Sequence, residues 1–135
     1  MARITYLNNF PAPNALEILA RCPQHEVVRI AGDAPIEQSF ETLGHAHAYQ
    51  CVGARDEVPV PLRVGVEFLS RAPELLVVSA SGSGVDVFDL DACTAAGVLA
   101  VNQAGANAQS VAEHALAMMI GAQRAIVRAD RILRS

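Results

Sequence analysis

Residues 75–114 read LLVVSASGSGVDVFDLDACTAAGVLAVNQAGANAQSVAEH and decide the fold. The apolar run Leu75–Ser79 predicts a strand buried on both faces. Ser81-Gly82-Ser83-Gly84 then predicts a turn, because its glycines allow backbone angles closed to other residues. Successive backbone N–H groups of such a turn can point into one cavity and bind an anion such as a carboxylate. We therefore expect an anion site where this strand ends.

The second half of this stretch predicts a further strand and a polar helix start. Asp89–Ala96 is typical of a short helix, and Val98–Val101 of the next strand. A polar loop, residues 102–107, follows that strand. Ser110 and Glu113 have the spacing of a capping box, which predicts a helix start. The positive dipole end of that helix would face the same rim of the sheet as the glycine turn.

The glycine turn does not fit a dinucleotide-binding fingerprint, G-x-G-x-x-G. Gly82 and Gly84 supply its first two glycines, but position 87 is Val. The acidic residue expected about twenty positions later is also missing, since that region holds Asn102 and Gln103. We therefore reject pyrophosphate binding at this loop.

Strand and helix patterns alternate before residue 75. Predicted strands are Ile4–Leu7, Glu26–Ile30 and Ala48–Val52, and predicted helices are Asn14–Cys22, Pro35–Leu43 and Val64–Arg71. Between them, Val58–Leu62 is expected to be an extended loop because of its prolines. This alternation implies a parallel sheet with right-handed crossovers, and so a three-layer α/β domain of flavodoxin-like type. Ligands of such sheets bind at the carboxyl ends of the strands.

The last predicted helix is long for a small domain. It would run from about Asn107 to Leu133, roughly 40 Å, whereas a domain of this size has a radius of gyration of roughly 14 Å. The helix must therefore reach the edge of the domain or beyond it. Its predicted packing stripe consists of Val111, Ala115, Met118, Met119, Ala122 and Ile126.

Composition favours one compact domain and excludes several classes of protein. The 135 residues are 52% hydrophobic and 18% charged, which excludes a disordered tail. The net charge is −4 without a basic cluster, so we expect no nucleic-acid partner. Three widely spaced cysteines argue against a disulfide framework or a zinc site. With neither a secretory signal nor a membrane-length apolar stretch, the chain is expected to be soluble and cytoplasmic, with no membrane partner.

The combined motif resembles the first domain of the D-isomer-specific 2-hydroxyacid dehydrogenases, a family that includes phosphoglycerate dehydrogenase. The resemblance rests on Ser81–Asp86, Asp89-Leu90, Gly97-Val98, Asn102 and Asn107–His114. It implies a substrate-binding domain over residues 1–106 and an interdomain helix over 107–135. By this resemblance the sequence stops where a nucleotide-binding domain would begin, and we expect that domain to be absent.

The resemblance also implies roles for individual residues. The backbone amides of Ser83 and Gly84 would hold the carboxylate of a small 2-hydroxy or 2-oxo acid. Asn107 would donate a side-chain hydrogen bond to the substrate, and Ser83 and Ser110 would lie near the nicotinamide of NAD. Arg55 matches a region where some relatives use basic residues for distal groups of the substrate. The family's catalytic Arg, Glu and His belong to the domain that is expected to be absent, so no catalytic residue is assigned and the fragment is predicted to be inactive.

Each of these assignments has a purely structural alternative. Asn107 and Ser110 could simply cap a helix, and Ser83-Gly84 could be a tight turn. Arg55 could form an exposed ion pair with the adjacent acidic residues. Asp86 and Asp89 are interpreted as turn and cap residues. His114 is interpreted as structural, and the three remaining histidines, His25, His45 and His47, as surface residues; no metal site is expected.

Two functions of different kinds remain open at this stage. The first is the substrate-binding portion of an NAD-dependent oxidoreductase that interconverts a D-2-hydroxy acid and a 2-oxo acid. The alternative is a non-catalytic remnant or a self-associating interaction module, which would use the apolar stripe of the last helix. A homo-oligomer is expected. A phosphoryl receiver or flavodoxin is disfavoured because the first strand ends in Asn8-Asn9-Phe10, which provides neither an acidic pocket nor a phosphate loop.

Overall fold

The computed structural model describes residues 1–10 and 14–135 and contains one five-stranded, wholly parallel sheet. The strand order is β2-β1-β3-β4-β5. The strands are β1 (Arg3–Leu7), β2 (Glu26–Ile30), β3 (Ala48–Val52), β4 (Val77–Ser81) and β5 (Leu99–Val101). This order places neighbouring strand ends on one rim and confirms the predicted parallel, flavodoxin-like α/β class.

The helices lie between the strands as the alternation predicts. They are α1 (Ala15–Ala20), α2 (Ile36–Leu43), α3 (Val66–Arg71), α4 (Leu90–Ala96), α5 (Ala108–Gln123) and α6 (Ile126–Arg134). The segment expected to be an extended loop instead contains a short 3-10 turn, Val60–Leu62, and a second such turn, Arg55–Glu57, precedes it. The ring of proline fixes φ near the helical value, which suits the first turn of a helix. The prolines in this segment were therefore compatible with a 3-10 turn.

One sheet face carries the core. Tyr49 on β3 is 1% exposed, and its ring lies 5.2 Å from that of Phe68 on α3. Phe68 also contacts Phe40 on α2, with ring centroids 5.5 Å apart. The opposite face, which includes Ile4, lies beside α1. The three layers are therefore α1, the sheet, and the pair of helices α2 and α3. Apolar residues of β1, β3 and β4 are buried between the sheet and the helices.

Strand β4 differs from its prediction in position and burial. It begins at Val77 rather than Leu75, because the Leu75 N–H still bonds to the Ala72 carbonyl in the preceding turn. Only alternate residues are fully buried, Val78 and Ala80, whereas their neighbours are half-buried. The expectation of a strand buried on both faces was therefore wrong.

The single long helix predicted at the end is two helices. α5 ends at Gln123, and α6 begins at Ile126 after Ala125, whose φ of +50° is left-handed. Left-handed backbone is unfavourable for alanine, and no glycine or proline marks the break, so helical periodicity gave no sign of it. The chain divides into two compact units, Met1–Gln103 (unit 1) and Ala104–Ser135 (unit 2).

Candidate functional site

The glycine loop, residues 82–84, follows β4 at the carboxyl edge of the sheet in unit 1. Its first residue, Gly82, has φ +94°, a conformation that strains any residue with a side chain. Ser83 is exposed, and Gly84 is half-buried. The loop therefore sits on the rim where the sequence predicted it, with a backbone that requires glycine at position 82.

On the β3 side, the loop packs against Gly53. The Gly53 N–H donates to the Ser81 carbonyl at 3.0 Å. A Cβ at Gly53 would lie 2.9 Å from the carbonyl oxygens of both Gly84 and Ser81, and one at Gly84 would lie 3.0 Å from the Gly53 oxygen. Both glycines are therefore needed for the close approach of two backbones. Sequence reasoning missed Gly53, although a glycine directly after a buried strand was a usable sign.

On the β5 side, two polar side chains hold the loop. Gln103 bonds twice to Gly82. Its backbone N–H donates to the Gly82 carbonyl at 2.8 Å, and its side-chain Oε1 accepts from the Gly82 N–H at 3.1 Å. The Asn102 Nδ2 donates to the Ser83 carbonyl at 2.9 Å. The sequence pattern used both residues to reject a nucleotide fingerprint and Asn102 also for the family resemblance, but it did not predict that they shape the loop.

These contacts occupy carbonyl acceptors of the loop but not the N–H donors of Ser83 and Gly84. The carbonyls of Ser81, Gly82 and Ser83 each accept a hydrogen bond from a neighbouring segment. Within the described residues, 1–10 and 14–135, the N–H groups of Ser83 and Gly84 donate to no protein acceptor. Two adjacent backbone donors without protein acceptors, beside carbonyls that are already bonded, suit an anionic ligand.

The helix after this loop does not suit a pyrophosphate. Asp89 caps α4, and its Oδ1 accepts from the Ala92 N–H at 2.9 Å, as the interpretation of Asp89 as a cap required. A carboxylate already lies where an anionic ligand would approach the helix dipole. Val87, which stands where the fingerprint requires its third glycine, is 2% exposed and belongs to the core. The residues of this loop and helix therefore do not fit the pyrophosphate of NAD.

Unit 2 presents the other predicted contact residues. Asn107 is the N-cap of α5, but its side chain makes no capping hydrogen bond. Ser110 lies in the first turn rather than at the N-cap, so the predicted capping box was wrong. Glu113 instead accepts from Gln109 Nε2 at 2.9 Å. Both Asn107 and Ser110 are exposed, and neither side chain is needed as a cap.

Arg55 begins the 3-10 turn after β3 and is exposed. The alternative interpretation, an ion pair with Asp56 or Glu57, is not found in the described part of the chain. The role that the resemblance implies for Arg55, contact with distal groups of the substrate, stays a prediction.

The cysteines and the buried tyrosine near the core are poor nucleophiles. Burial raises the pKa of the Cys51 thiol to about 12, and burial followed by the nearby Asp89 charge raises the pKa of Cys93. Burial, with a smaller contribution from Cys51, also raises the pKa of Tyr49 well above its ordinary value. All three groups therefore stay protonated at neutral pH, which leaves them structural. Cys22 is half-buried, whereas Cys51 and Cys93 are buried.

Three histidines lie at the opposite edge of unit 1. The Nδ1 of His47 accepts from the Arg3 N–H at 3.2 Å, and that of His25 from the Ala2 N–H at 3.4 Å, beside the amino ends of the strands. His45 pairs with Glu74 at 3.2 Å. His25 and His47 are half-buried and bonded to the backbone, which corrects their interpretation as simple surface residues. No metal-binding group of three or more side chains occurs among the residues described.

Comparison with known proteins shows which family the chain belongs to. The family model of the D-isomer specific 2-hydroxyacid dehydrogenase catalytic domain matches residues 4–129. The chain belongs to this family. Over 72 residues it is 49% identical to a D-3-phosphoglycerate dehydrogenase of Mycobacterium leprae, covering 53% of this chain and 14% of the relative. Over 122 residues it is 28% identical to a glyoxylate reductase of Aeropyrum pernix, covering 90% of this chain and 34% of the relative. The matched regions thus span about a third of one curated relative and 14% of the other.

Solved structures show the same fold. A 2-hydroxyacid dehydrogenase from Ketogulonicigenium vulgare Y25 superposes with a TM-score of 0.77 at 24% identity, over 100% of this chain and 40% of that one. The NAD+-bound 3-phosphoglycerate dehydrogenase of Entamoeba histolytica gives 0.65 at 23% identity, over 89% and 38%. In the described residues, 1–10 and 14–135, no helix combines the length and apolarity that crossing a bilayer requires.

Proposed function

We propose that the chain is the substrate-binding portion of an NAD-dependent oxidoreductase that interconverts a D-2-hydroxy acid and a 2-oxo acid in the cytoplasm. Family membership supports the reaction class. The observation that carries the assignment is the pair of Ser83 and Gly84 N–H groups, which have no protein acceptor among the described residues. A carboxylate accepts two such donors with charge-assisted hydrogen bonds.

The family resemblance proposes roles for individual residues of each unit. The Asn107 side chain is exposed and makes no capping bond, so it is available to donate to the 2-oxygen of the acid. Arg55 would contact a distal anionic group, such as the phosphate of a phosphorylated acid. Contact with the nicotinamide is proposed for Ser83 of unit 1 and, separately, for Ser110 of unit 2.

The chain itself is proposed to bind the acid without turning it over. NAD, when bound, supplies the acceptor or donor of the hydride at C2, and solved neighbours of this fold are described as NAD complexes. The glycine loop of this chain does not fit the pyrophosphate, and its buried thiols and Tyr49 stay protonated. The family's catalytic Arg, Glu and His have no counterpart in the motif carried by this chain. Their role is to polarise the 2-oxygen and move its proton.

Nuclear magnetic resonance tests the carboxylate site directly. Titrating D-lactate into the 15N-labelled 135-residue chain should shift the amide resonances of Ser83 and Gly84, because these N–H groups would gain a charged acceptor. Lactamide, which has the same shape without the negative charge, is the matched control and should leave both resonances in place. Equal shifts with both compounds, or none with D-lactate, would contradict a carboxylate site.

The same sample tests the proposed lack of turnover. With D-lactate and NAD+ the chain should form no NADH above the uncatalysed rate. Formation of NADH at an enzymatic rate would place the catalytic groups within these 135 residues and overturn this part of the proposal.

A second function, a self-associating module, rests on a different observation. Unit 2 exposes large apolar side chains along both of its helices: Val111, Leu116, Met118, Met119, Ile120, Ile126, Val127, Ile132 and Leu133. Surfaces of this kind favour association. Sedimentation that shows a monomer at high protein concentration would argue against both this module and a homo-oligomer formed through unit 2.

A further inference from the structure

The two backbone donors of the glycine loop are each oriented by a hydrogen bond on the other side of the same peptide group. A peptide group is planar, so its C=O and N–H point in opposite directions and turn together. The peptide that carries the Ser83 N–H also carries the Gly82 carbonyl, which accepts from the Gln103 N–H at 2.8 Å. Fixing that carbonyl therefore fixes the direction of the Ser83 N–H.

The next peptide is fixed in the same way. The peptide that carries the Gly84 N–H also carries the Ser83 carbonyl, which accepts from Asn102 Nδ2 at 2.9 Å. Gln103 adds a third contact, since its Oε1 accepts from the Gly82 N–H at 3.1 Å and closes a two-bond ring with that residue. Glycine has little conformational preference of its own, so without these bonds the loop would sample several peptide orientations.

From this arrangement we propose that Asn102 and Gln103 are positioning residues for the carboxylate site. They contact the loop from the side of β5, and in each peptide group the N–H points away from the carbonyl that they bind. The inference rests on the proposed function, because the ligand that these donors receive is the carboxylate proposed above. What it adds is the cause of their orientation: the side chain of Asn102 and both the backbone N–H and the side chain of Gln103 hold the loop in a shape that glycine alone does not specify.

Two variants of the 135-residue chain test the role of these side chains. Asn102→Ala removes the donor to the Ser83 carbonyl, and Gln103→Met keeps the length of the side chain but removes its acceptor. Each should weaken D-lactate binding about fivefold, the typical effect of one lost hydrogen bond. Gln24→Met, in the exposed turn before β2, is the matched control for Gln103→Met and should bind as the wild type does.

Readouts at individual residues separate positioning from a general loss of structure. In Gln103→Met the Gly82 amide should exchange with solvent faster, while amides of β1 and β3 keep their wild-type protection. In Asn102→Ala the lactate-induced shift at Gly84 should shrink more than that at Ser83. Asn102→Gln, which restores a side-chain amide donor, should recover part of the affinity. If Asn102→Ala does not fold, Gln103→Met still decides, because it leaves the Gln103 N–H bond in place.

The outcomes separate the two proposals. Lactate shifts at Ser83 and Gly84 in the wild type with unchanged affinity in both variants would overturn the positioning role and leave the carboxylate site standing. An absence of lactate shifts in the wild type would overturn the carboxylate site, and the positioning role with it. Weaker binding in both variants with intact core protection would support both.

Discussion

Units 1 and 2 use their apolar residues in opposite ways. Unit 1 buries them: Leu43 and Val78 are 0% exposed, and both belong to one cluster that joins the sheet to α2 and α3. Unit 2 contains two helices in which Gly121 alone is even half-buried. Its large side chains, such as Met118 at 63% and Leu133 at 86%, lie open. A similar apolar content therefore gives a packed core in one unit and an exposed surface in the other.

This contrast shows where the stability of the described chain resides. Burial of apolar surface is the dominant favourable contribution to folding, so unit 1 should carry most of the free energy of unfolding. Helices without tertiary packing are marginal in water, and α6 has only nine residues. The apolar surface of unit 2 is better explained as surface for contact with other protein than as a core.

The largest expected effect comes from emptying the core of unit 1. Leu43→Ala should lower the free energy of unfolding by about 2–5 kcal/mol, because it leaves a cavity among residues that cannot fully collapse. Leu116→Ala in unit 2 is the matched control. Leu116 is 54% exposed, so its truncation should change stability by less than about 0.5 kcal/mol. Urea unfolding followed by circular dichroism measures both, and equal losses would show that unit 2 buries its apolar side chains after all.

Replacing two glycines by alanine should change the free energy of unfolding by smaller amounts, with opposite signs at the two positions. Gly53→Ala should destabilise unit 1 by about 1–3 kcal/mol, because the new methyl group meets two backbone oxygens at 2.9 Å. Gly121→Ala should stabilise α5 by about 0.5–1 kcal/mol, because no atom lies within 4 Å of the new methyl group. Thermal unfolding monitored at 222 nm and hydrogen exchange resolve the two changes. A neutral Gly53→Ala would mean that the ends of β3 and β4 are not tightly packed.

Near neutral pH the smallest effect comes from the buried thiol of Cys51, which changes stability only in alkaline solution. The folded state raises the pKa of Cys51 from its ordinary value of about 9 to about 12. Stability from the protonated thiol is therefore complete below about pH 9 and is lost as pH rises towards 12, at up to about 1.4 kcal/mol per pH unit. Cys51→Ala should flatten this loss, although Cys93 and Tyr49 add to it. An equally steep loss in Cys51→Ala would contradict the assignment to this thiol.

Unit 2 provides the internal control for that measurement. It contains no cysteine or tyrosine. The helical signal of residues 108–134 should therefore stay constant while unit 1 loses stability.

Sequence patterns predicted unit 1 well because its signals are local and agree with each other. Strands Glu26–Ile30 and Ala48–Val52 have the predicted bounds, and the alternation of strand and helix is enough to imply a parallel sheet. The same reasoning failed at Ala125. There a residue with high helix propensity adopts a left-handed conformation, which only the surrounding structure could impose.

The candidate site was predictable in its position but not in its construction. Glycines after a buried strand marked the loop, and the rule for parallel sheets placed it on the ligand rim. The contacts of Gly53, Asn102 and Gln103 with that loop join residues 19 to 31 positions apart, so no local pattern encodes them. Ser110 failed for a related reason: its spacing to Glu113 matched a motif, but the chain had already entered the helix at Ala108.

The proposed binding donors are backbone N–H groups, and this limits how mutation can change the site. The N–H groups of Ser83 and Gly84 hold no proton that titrates in the biological range, and among ordinary substitutions only proline deletes one. The hydroxyl of Ser83 can therefore be exchanged for many other groups while the donors persist. Mutations that alter recognition should instead arise at neighbours that dictate backbone shape, so variation in ligand preference would appear in positions that never touch the ligand.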